Sequence, residues 1–200
     1  VALTCNVDLG WEDEYVISIL ETLKKENVHI TFNVTGKWAE NKKDLLLRIK
    51  NEGHEIGNHS YIHPMFTKIT EDRMLEEIKK TEDIVKENID YDMTLFRFPS
   101  GDYNDKSLKF VEDLGYKCIQ WDVDSVDWKQ SGADEEYNRV MKKVKSGSIL
   151  LFHNNAKYTP SNLSRIIEKL SDDGYEFVPV GELIYTENYY INENGEQNKK

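Results

Sequence analysis

Two hundred residues amount to one ordinary domain, or one α/β barrel slightly smaller than usual, and 38% apolar with 11% aromatic residues is enough to bury a real core. The net charge of −11, from 26 basic and 37 acidic side chains, argues against nucleic acid as the main partner, because phosphate binding wants a concentrated basic surface. No apolar run approaches the ~20 residues that span a bilayer, and no signal-peptide pattern is read within these residues.

The chain opens inside an apolar run, "VALTCNV", that reads as a buried strand. It lacks an initial methionine and any polar lead-in, so we read it as an excised domain whose upstream segment would carry an export signal or anchor. Residues 12 to 25 put Val16, Ile19, Leu20 and Leu23 on one helical stripe, with Glu12, Asp13 and Glu14 in the first turn, where the helix dipole favours acids. "HITFNVT" (29 to 35) is the next strand, and "KKDLLLRIKNEG" a helix ended by Gly53. "HEIGNH" reads as a short strand. Residues 70 to 88 form a charged helix with Met74, Ile78, Thr81 and Val85 inward. Strands follow at "TLFRF" (94 to 98), "KCIQWDV" (117 to 123), "SILLFH" (148 to 153) and "EFVPV" (176 to 180), with helices near 105 to 114, 134 to 145 and 161 to 171. The tail "ENYYINENGEQNKK" has no periodicity and is expected to fray. Cys5 and Cys118 each lie in an apolar strand-like run and read as two buried thiols rather than a disulfide.

Strand and helix alternate about seven times with short links, the signature of a parallel sheet covered by helices, open or closed into a barrel. In such folds chemistry gathers at the carboxyl ends of the strands. Here the ends carry Asn6 and Asp8, then His59 and His63 in "NHSYIHP", then Arg97 in "RFPSGDY", then Asp124, Asp127 and Trp128 in "WDVDSVDW", then His153 in "LLFHNN". His59 and His63, four apart, can share a face if their segment turns helically. Two neutral imidazoles and a carboxylate, with positions left for water and substrate, suit a divalent transition metal such as zinc. His29 and His54 precede strands, at the other end, and read as structural.

Taken together and in order, "TCNVDLG", "HSYIH", "RFPSG", "DSVDW" and "LLFH" resemble the five motifs of the polysaccharide deacetylase family: TFDDG, a paired-histidine motif, RxPYG, DSxDW and LxH. This is the NodB-homology or carbohydrate esterase family 4 fold, and the likeness is to its peptidoglycan and sporulation branches. It covers about residues 1 to 184, so residues 1 to 185 are taken as one NodB-like domain and 186 to 200 as tail.

The resemblance implies a distorted (β/α)7-type barrel of mostly parallel strands. It also implies a metal-dependent hydrolase that removes the N-acetyl group from N-acetylglucosamine residues of peptidoglycan, outside the cell or at its wall. Carried over by motif, His59, His63 and Asp8 would hold a divalent metal, most simply Zn2+. Arg97 would orient the carboxylate of the first motif. Asp127 would hold His153, the general acid. The Ser100 backbone N–H would meet the oxyanion, replacing the family's tyrosine position. Trp128 and Leu151 would wall a pocket for the acetyl methyl, with Tyr103 beside the sugar. Trp11, Tyr61, Trp121 and Tyr158 are further aromatics able to stack on sugar faces. The expected partner is a cell-wall glycan, and the expected state a monomer.

The first motif departs from the family's adjacent aspartates. Asn6 stands where the base is expected, and an amide cannot take a proton from water. Asp8 can then ligate the metal while another group acts as base, with Glu12 and Asp13 nearby. It can instead be the base over a metal held by the histidines, or the site can bind sugar and turn over slowly. The ligand role for Asp8 is carried forward. The rival readings are a carbohydrate-binding relative with weakened catalysis, and a metal hydrolase of another acylated sugar such as chitin oligomers.

Overall fold

A computed structural model describes residues 1–9 and 13–200, without the side chains of Asp13 and Glu14. The readings that fall on Trp11, Glu12 and the Asp13 and Glu14 side chains therefore lie outside the described residues. Seven strands form one parallel sheet: β1 (Ala2–Val7), β2 (Thr31–Val34), β3 (Glu55–Asn58), β4 (Leu95–Arg97), β5 (Lys117–Ile119), β6 (Val123–Asp124) and β7 (Ile149–His153). Their spatial order is β5-β4-β3-β2-β1-β7-β6.

That order forces the sheet to curl. In a flat sheet of this width the edge strands β5 and β6 would stand ~29 Å apart, at about 4.8 Å per strand. The connection between them is only Gln120, Trp121 and Asp122, which reaches at most ~14 Å. The edges must approach, and the sheet becomes the distorted (β/α)7-type barrel expected from the sequence. "KCIQWDV", read as one strand, is thus two: the chain leaves one edge at Ile119 and joins the other at Val123.

Helices cover the outside: α1 (Asp13–Glu26), α2 (Gly36–Asn41), α3 (Lys43–Asn51), α4 (Glu71–Ile89), α5 (Asp105–Asp113), α6 (Ala133–Lys143) and α7 (Thr159–Asp172). The α1 stripe of Val16, Ile19, Leu20 and Leu23 is fully buried, as its spacing requires. The hydroxyl of Thr70 caps α4 by accepting from the Arg73 amide at 3.3 Å, and Asn104 with Ser107 forms a reciprocal capping box on α5. No helix among the described residues is long and apolar enough to cross a membrane.

Period-two alternation splits each strand between two environments. Leu3, Cys5 and Val7 of β1 and Leu150 and Phe152 of β7 join the core under the helices. Thr4, Asn6 and Leu151 face the other way, into the barrel. Its floor is a separate apolar cluster of Ala2, Leu95, Ile119 and Val180, with Ile149, Leu183 and Ile184 against it. Val180, Leu183 and Ile184 come from α8 (Val180–Leu183) and the residue after it, which stop the barrel from below. The Val180 amide donates to Thr31 Oγ1 at 2.8 Å and the Gly181 amide to Glu55 Oε2 at 3.0 Å. A Cβ at Gly181 would meet the Glu55 carboxylate, so a larger residue there has to displace that side chain.

Two further expectations are corrected. "EFVPV" is not a strand: it makes only two ladder-like bonds, the Val1 ammonium to Glu176 O at 2.8 Å and Val178 N–H to Val1 O at 3.1 Å, before Pro179, which has no N–H to continue. The patternless tail is not featureless, since β8 (Tyr189–Ile191) and β9 (Gln197–Lys199) pair as a short antiparallel hairpin. Cys5 is buried and Cys118 half-buried, both as free thiols.

Candidate active site

The polar layer lies just above the barrel floor. Arg97, at the end of β4, is fully buried. Its Nη1 donates to Thr4 Oγ1 at 2.7 Å and to Asn6 Oδ1 at 3.1 Å, its Nη2 to Gln120 O at 3.1 Å, and its Nε has no partner. Every one of these acceptors is neutral, and burial pulls the guanidinium down to about 9. Arg97 therefore holds the Asn6 amide, not the Asp8 carboxylate it was expected to orient.

His59 follows β3 and is buried. Its Nδ1 lies 2.8 Å from the Arg97 carbonyl. A carbonyl only accepts, so Nδ1 carries the hydrogen and Nε2 is left with a lone pair. That Nε2 is buried without a hydrogen-bond partner. Burial first, then the neighbouring His63, pushes the His59 imidazolium well below its ordinary range.

The His63 ring lies 4.9 Å from that of His59, edge to face. The helical turn expected between them is absent: Ser60 and His63 take left-handed backbone angles (φ 65 and 62) in an open loop. The loop is pinned from several sides. Glu77 Oε2 accepts from the Tyr61 and Ile62 amides at 2.7 and 2.8 Å, Ser60 Oγ from the His63 amide at 3.0 Å, and Asn58 Oδ1 from the Ser60 amide at 2.9 Å. Glu77 is 1% exposed and paired with Arg73. The sequence reading missed it, although a carboxylate among Met74, Ile78 and Thr81 on an inward stripe was a visible signal.

Asp8 sits beyond β1 with Oδ1 accepting from the Leu9 amide at 2.7 Å and Thr35 Oγ1 at 2.9 Å. Its charge opposes the fall of the His63 imidazolium, which burial chiefly causes and His153 adds to. Asp8 thus lies near the histidine pair, yet among the described residues no three His, Cys, Asp or Glu side chains form a closed metal cluster. Two neutral imidazoles, one with a free lone pair, fit a divalent ion. The carboxylate is at hand but turned to Thr35.

Across the barrel mouth, His153 ends β7. Asp127 Oδ1 is 2.7 Å from His153 Nδ1, and Asp127 Oδ2 accepts from the His153 amide at 2.7 Å and from Thr159 Oγ1 at 3.0 Å. The Asp127 side chain is fully buried and that of His153 is 14% exposed. The loop before Asp127 is fixed by Asp124 Oδ1 accepting from the Val126 amide at 2.8 Å, with Val126 left-handed at φ 54. A buried carboxylate gripping Nδ1 leaves Nε2 as the nitrogen able to hand over a proton. The nearness of His153 adds to the lowering of both His59 and His63. The structure brings these three together.

The remaining candidates lie around them. Ser100 is exposed and left-handed (φ 55) in the 3₁₀ turn after β4. Tyr103 is 45% exposed and stacks on Phe98. Trp128 is 51% exposed, whereas Leu151 is buried in β7. Trp121 packs on the Arg97 guanidinium, and Tyr61 beneath Lys80. His54 accepts from the Ile30 amide at 3.2 Å through Nδ1 and packs on Phe32, a structural use, as expected.

The model of the polysaccharide deacetylase family matches residues 1–119. The chain is 36% identical over 190 residues to a peptidoglycan-N-acetylglucosamine deacetylase of Bacillus cereus, an alignment covering 93% of this chain and 68% of that one. It is 34% identical over 182 residues to the Bacillus subtilis peptidoglycan-N-acetylmuramic acid deacetylase PdaA, covering 89% and 69%. Among solved structures, it is similar to a Bacillus anthracis CE4 family pseudoenzyme, with a TM-score of 0.85 at 32% identity over 91% of this chain and 64% of that one. A mutant of that pseudoenzyme with restored enzymatic activity gives 0.87 at 34% identity, covering 91% and 66%. The chain thus spans about two thirds of the length of these relatives. With its curled parallel barrel and its histidines and Asp127 at the strand ends, the chain belongs to the polysaccharide deacetylase family.

Proposed function

We propose that the chain is a metal-dependent hydrolase that removes the acetyl group from N-acetylglucosamine residues of peptidoglycan, working outside the cell or at its wall as a monomer. The observation that carries this reading is the buried, unpartnered Nε2 of His59 beside His63, on the same barrel mouth as the Asp127-held His153. A buried lone pair without a donor is costly unless something electrophilic is meant to occupy it. His59, His63 and, after turning from Thr35, Asp8 would hold the ion, most simply Zn2+. Such an ion supplies Lewis acidity to the acetyl carbonyl and acidifies a water.

This chain's own residues do the rest. His153 protonates the departing amine nitrogen, and Asp127 stabilises its imidazolium form. The backbone N–H of Ser100 meets the developing oxyanion. Trp128 and Leu151 enclose the acetyl methyl, and Tyr103 supports the sugar. The relatives that act on peptidoglycan support the substrate class.

A second reading has its own observation: Arg97 meets the Asn6 amide where a carboxylate base would be expected. On that reading the chain binds the glycan and turns it over slowly or not at all. One experiment separates the two: metal content of the purified protein, then acetate release from peptidoglycan and from chitin oligomers. Bound metal with acetate from peptidoglycan supports hydrolysis there. Acetate from chitin oligomers alone moves the substrate, bound metal without acetate supports the binding role, and no bound metal overturns the metal site.

A further inference from the structure

Behind Asp127 stands a second carboxyl group for which the reaction as described has no use. Glu136, on α6, is 5% exposed, and Thr159, the first residue of α7, is completely buried. Thr159 Oγ1 lies 3.0 Å from Asp127 Oδ2 and 3.1 Å from Glu136 Oε1. A hydroxyl has one proton, so it cannot donate to two carboxylate oxygens at once. Two hydrogen bonds in a row need a second proton, and it has to sit on one of the two acids. Asp127 already accepts from the His153 amide with one oxygen and faces His153 Nδ1 with the other, so both its oxygens are engaged as acceptors. Glu136 is the remaining place.

We propose that Glu136 is a positioning residue of the acid half of the site: as a neutral carboxylic acid it donates to Thr159, whose hydroxyl then donates to Asp127 and fixes the carboxylate that orients His153. Burial first, and the adjacent Asp127 second, raise Glu136 to about 7, which agrees with the proton count. The charged groups around it are Asp127 and, along the cavity of about 190 Å³ that it lines, Lys129, Glu135 and Arg139. From α7, Asn162 faces it, and Arg165 is occupied with Asp134. An unpaired anion at this spot would repel Asp127 across a single hydroxyl, so the neutral acid is the form that completes the chain.

The catalytic half of this inference rests on His153 being the acid of a deacetylase, whereas the hydrogen-bond chain does not. The test uses the full-length protein with Glu136→Gln, Glu136→Ala and Thr159→Val, each checked for folding by circular dichroism. The first readout is the exchange rate of the His153 Nδ1–H proton by NMR, and the second is acetate release from peptidoglycan. Glutamine keeps a donor toward Thr159, so Glu136→Gln is expected to leave both readouts near wild type at pH 6. Glu136→Ala and Thr159→Val are each expected to speed Nδ1–H exchange and to slow acetate release by about tenfold, the worth of one hydrogen bond. Loss in Glu136→Gln as large as in Glu136→Ala, or unchanged exchange in Thr159→Val, overturns the proposal. If even the wild type releases no acetate, the enzymatic reading fails, and Nδ1–H exchange alone still decides the role of Glu136.

Discussion

Arg97 and Asp127 are both buried charges at the mouth of one barrel, and they are treated in opposite ways. Asp127 is met by an imidazole, a backbone amide and a hydroxyl at 2.7 to 3.0 Å. Arg97 has only neutral oxygens and an idle Nε. A buried carboxylate with three donors keeps its charge cheaply, whereas a buried guanidinium without a counter-charge bears a desolvation cost it does not recover. The side of the site that would deliver a proton is thus fully assembled, and the side that would remove one is assembled around the wrong functional group. The sequence difference responsible is one atom wide: an amide nitrogen in Asn6 where the family's first motif has a carboxylate oxygen.

The sharpest way to break this contrast is to remove the acid. His153→Ala should lower acetate release by about 10²–10⁴. The rate is measured in the Asn6→Asp background if the wild type is too slow, and an unchanged rate would remove His153 from the reaction. Next in size is Asn6→Asp itself. It places an anion 3.1 Å from Arg97 Nη1 and should raise acetate release by about 10² without altering metal content. No gain would mean that the proton-removing side was never limiting.

A histidine outside both halves then serves as a control on acid sensitivity. Burial lowers His54 to about 4, below its ordinary 6.5, and its Nδ1 accepts from the Ile30 amide. The unfolded chain therefore binds the extra proton first as pH falls. The stability this histidine preserves is complete above pH 6.5 and drains away down to about pH 4, by an amount on the order of 3 kcal/mol. Chemical denaturation of wild type and His54→Gln across that window checks it, since the variant should lose this slope.

The smallest effects compare the two buried charges directly. Thr4→Val takes an acceptor from the unpaired guanidinium and should cost about 2 kcal/mol. Ser125→Ala loosens the Asp127 loop, where Ser125 Oγ donates to Leu151 O at 2.6 Å and accepts from the Asp127 amide at 3.3 Å, and should cost about 1 kcal/mol because the donors to the Asp127 carboxylate all remain. Urea unfolding ranks the pair, and equal costs would erase the contrast.

The residues that carry this contrast were legible to different degrees. His59, Arg97, Asp127 and His153 stand in motifs, each at the carboxyl end of an apolar run, and the sequence placed them correctly at one barrel end. Their supports were legible only in part. Glu77 shares the inward stripe of Met74, Ile78 and Thr81, whereas Glu136 and Thr159 occupy helices whose charges otherwise face water, and only tertiary packing turns them inward. "EFVPV" has strand composition, yet Pro179 ends its pairing beside Val1 after two bonds. The path of Gln120 to Asp122 from one sheet edge to the other depends on curvature, which no local pattern encodes. The turn between His59 and His63 likewise depends on Glu77, sixteen residues beyond Tyr61.

The stopper at the bottom of the barrel has a bearing on how the chain is made. Val180, Leu183 and Ile184 close the space beneath Ala2, Leu95 and Ile119, so the barrel's first strand waits for a segment nearly 180 residues later before its lower layer is sealed. Until then a nascent chain holds an open cup, with Thr31 and Glu55 still bound to water instead of to the amides of Val180 and Gly181. The lower layer of the barrel is therefore complete only when its two extremities are both present.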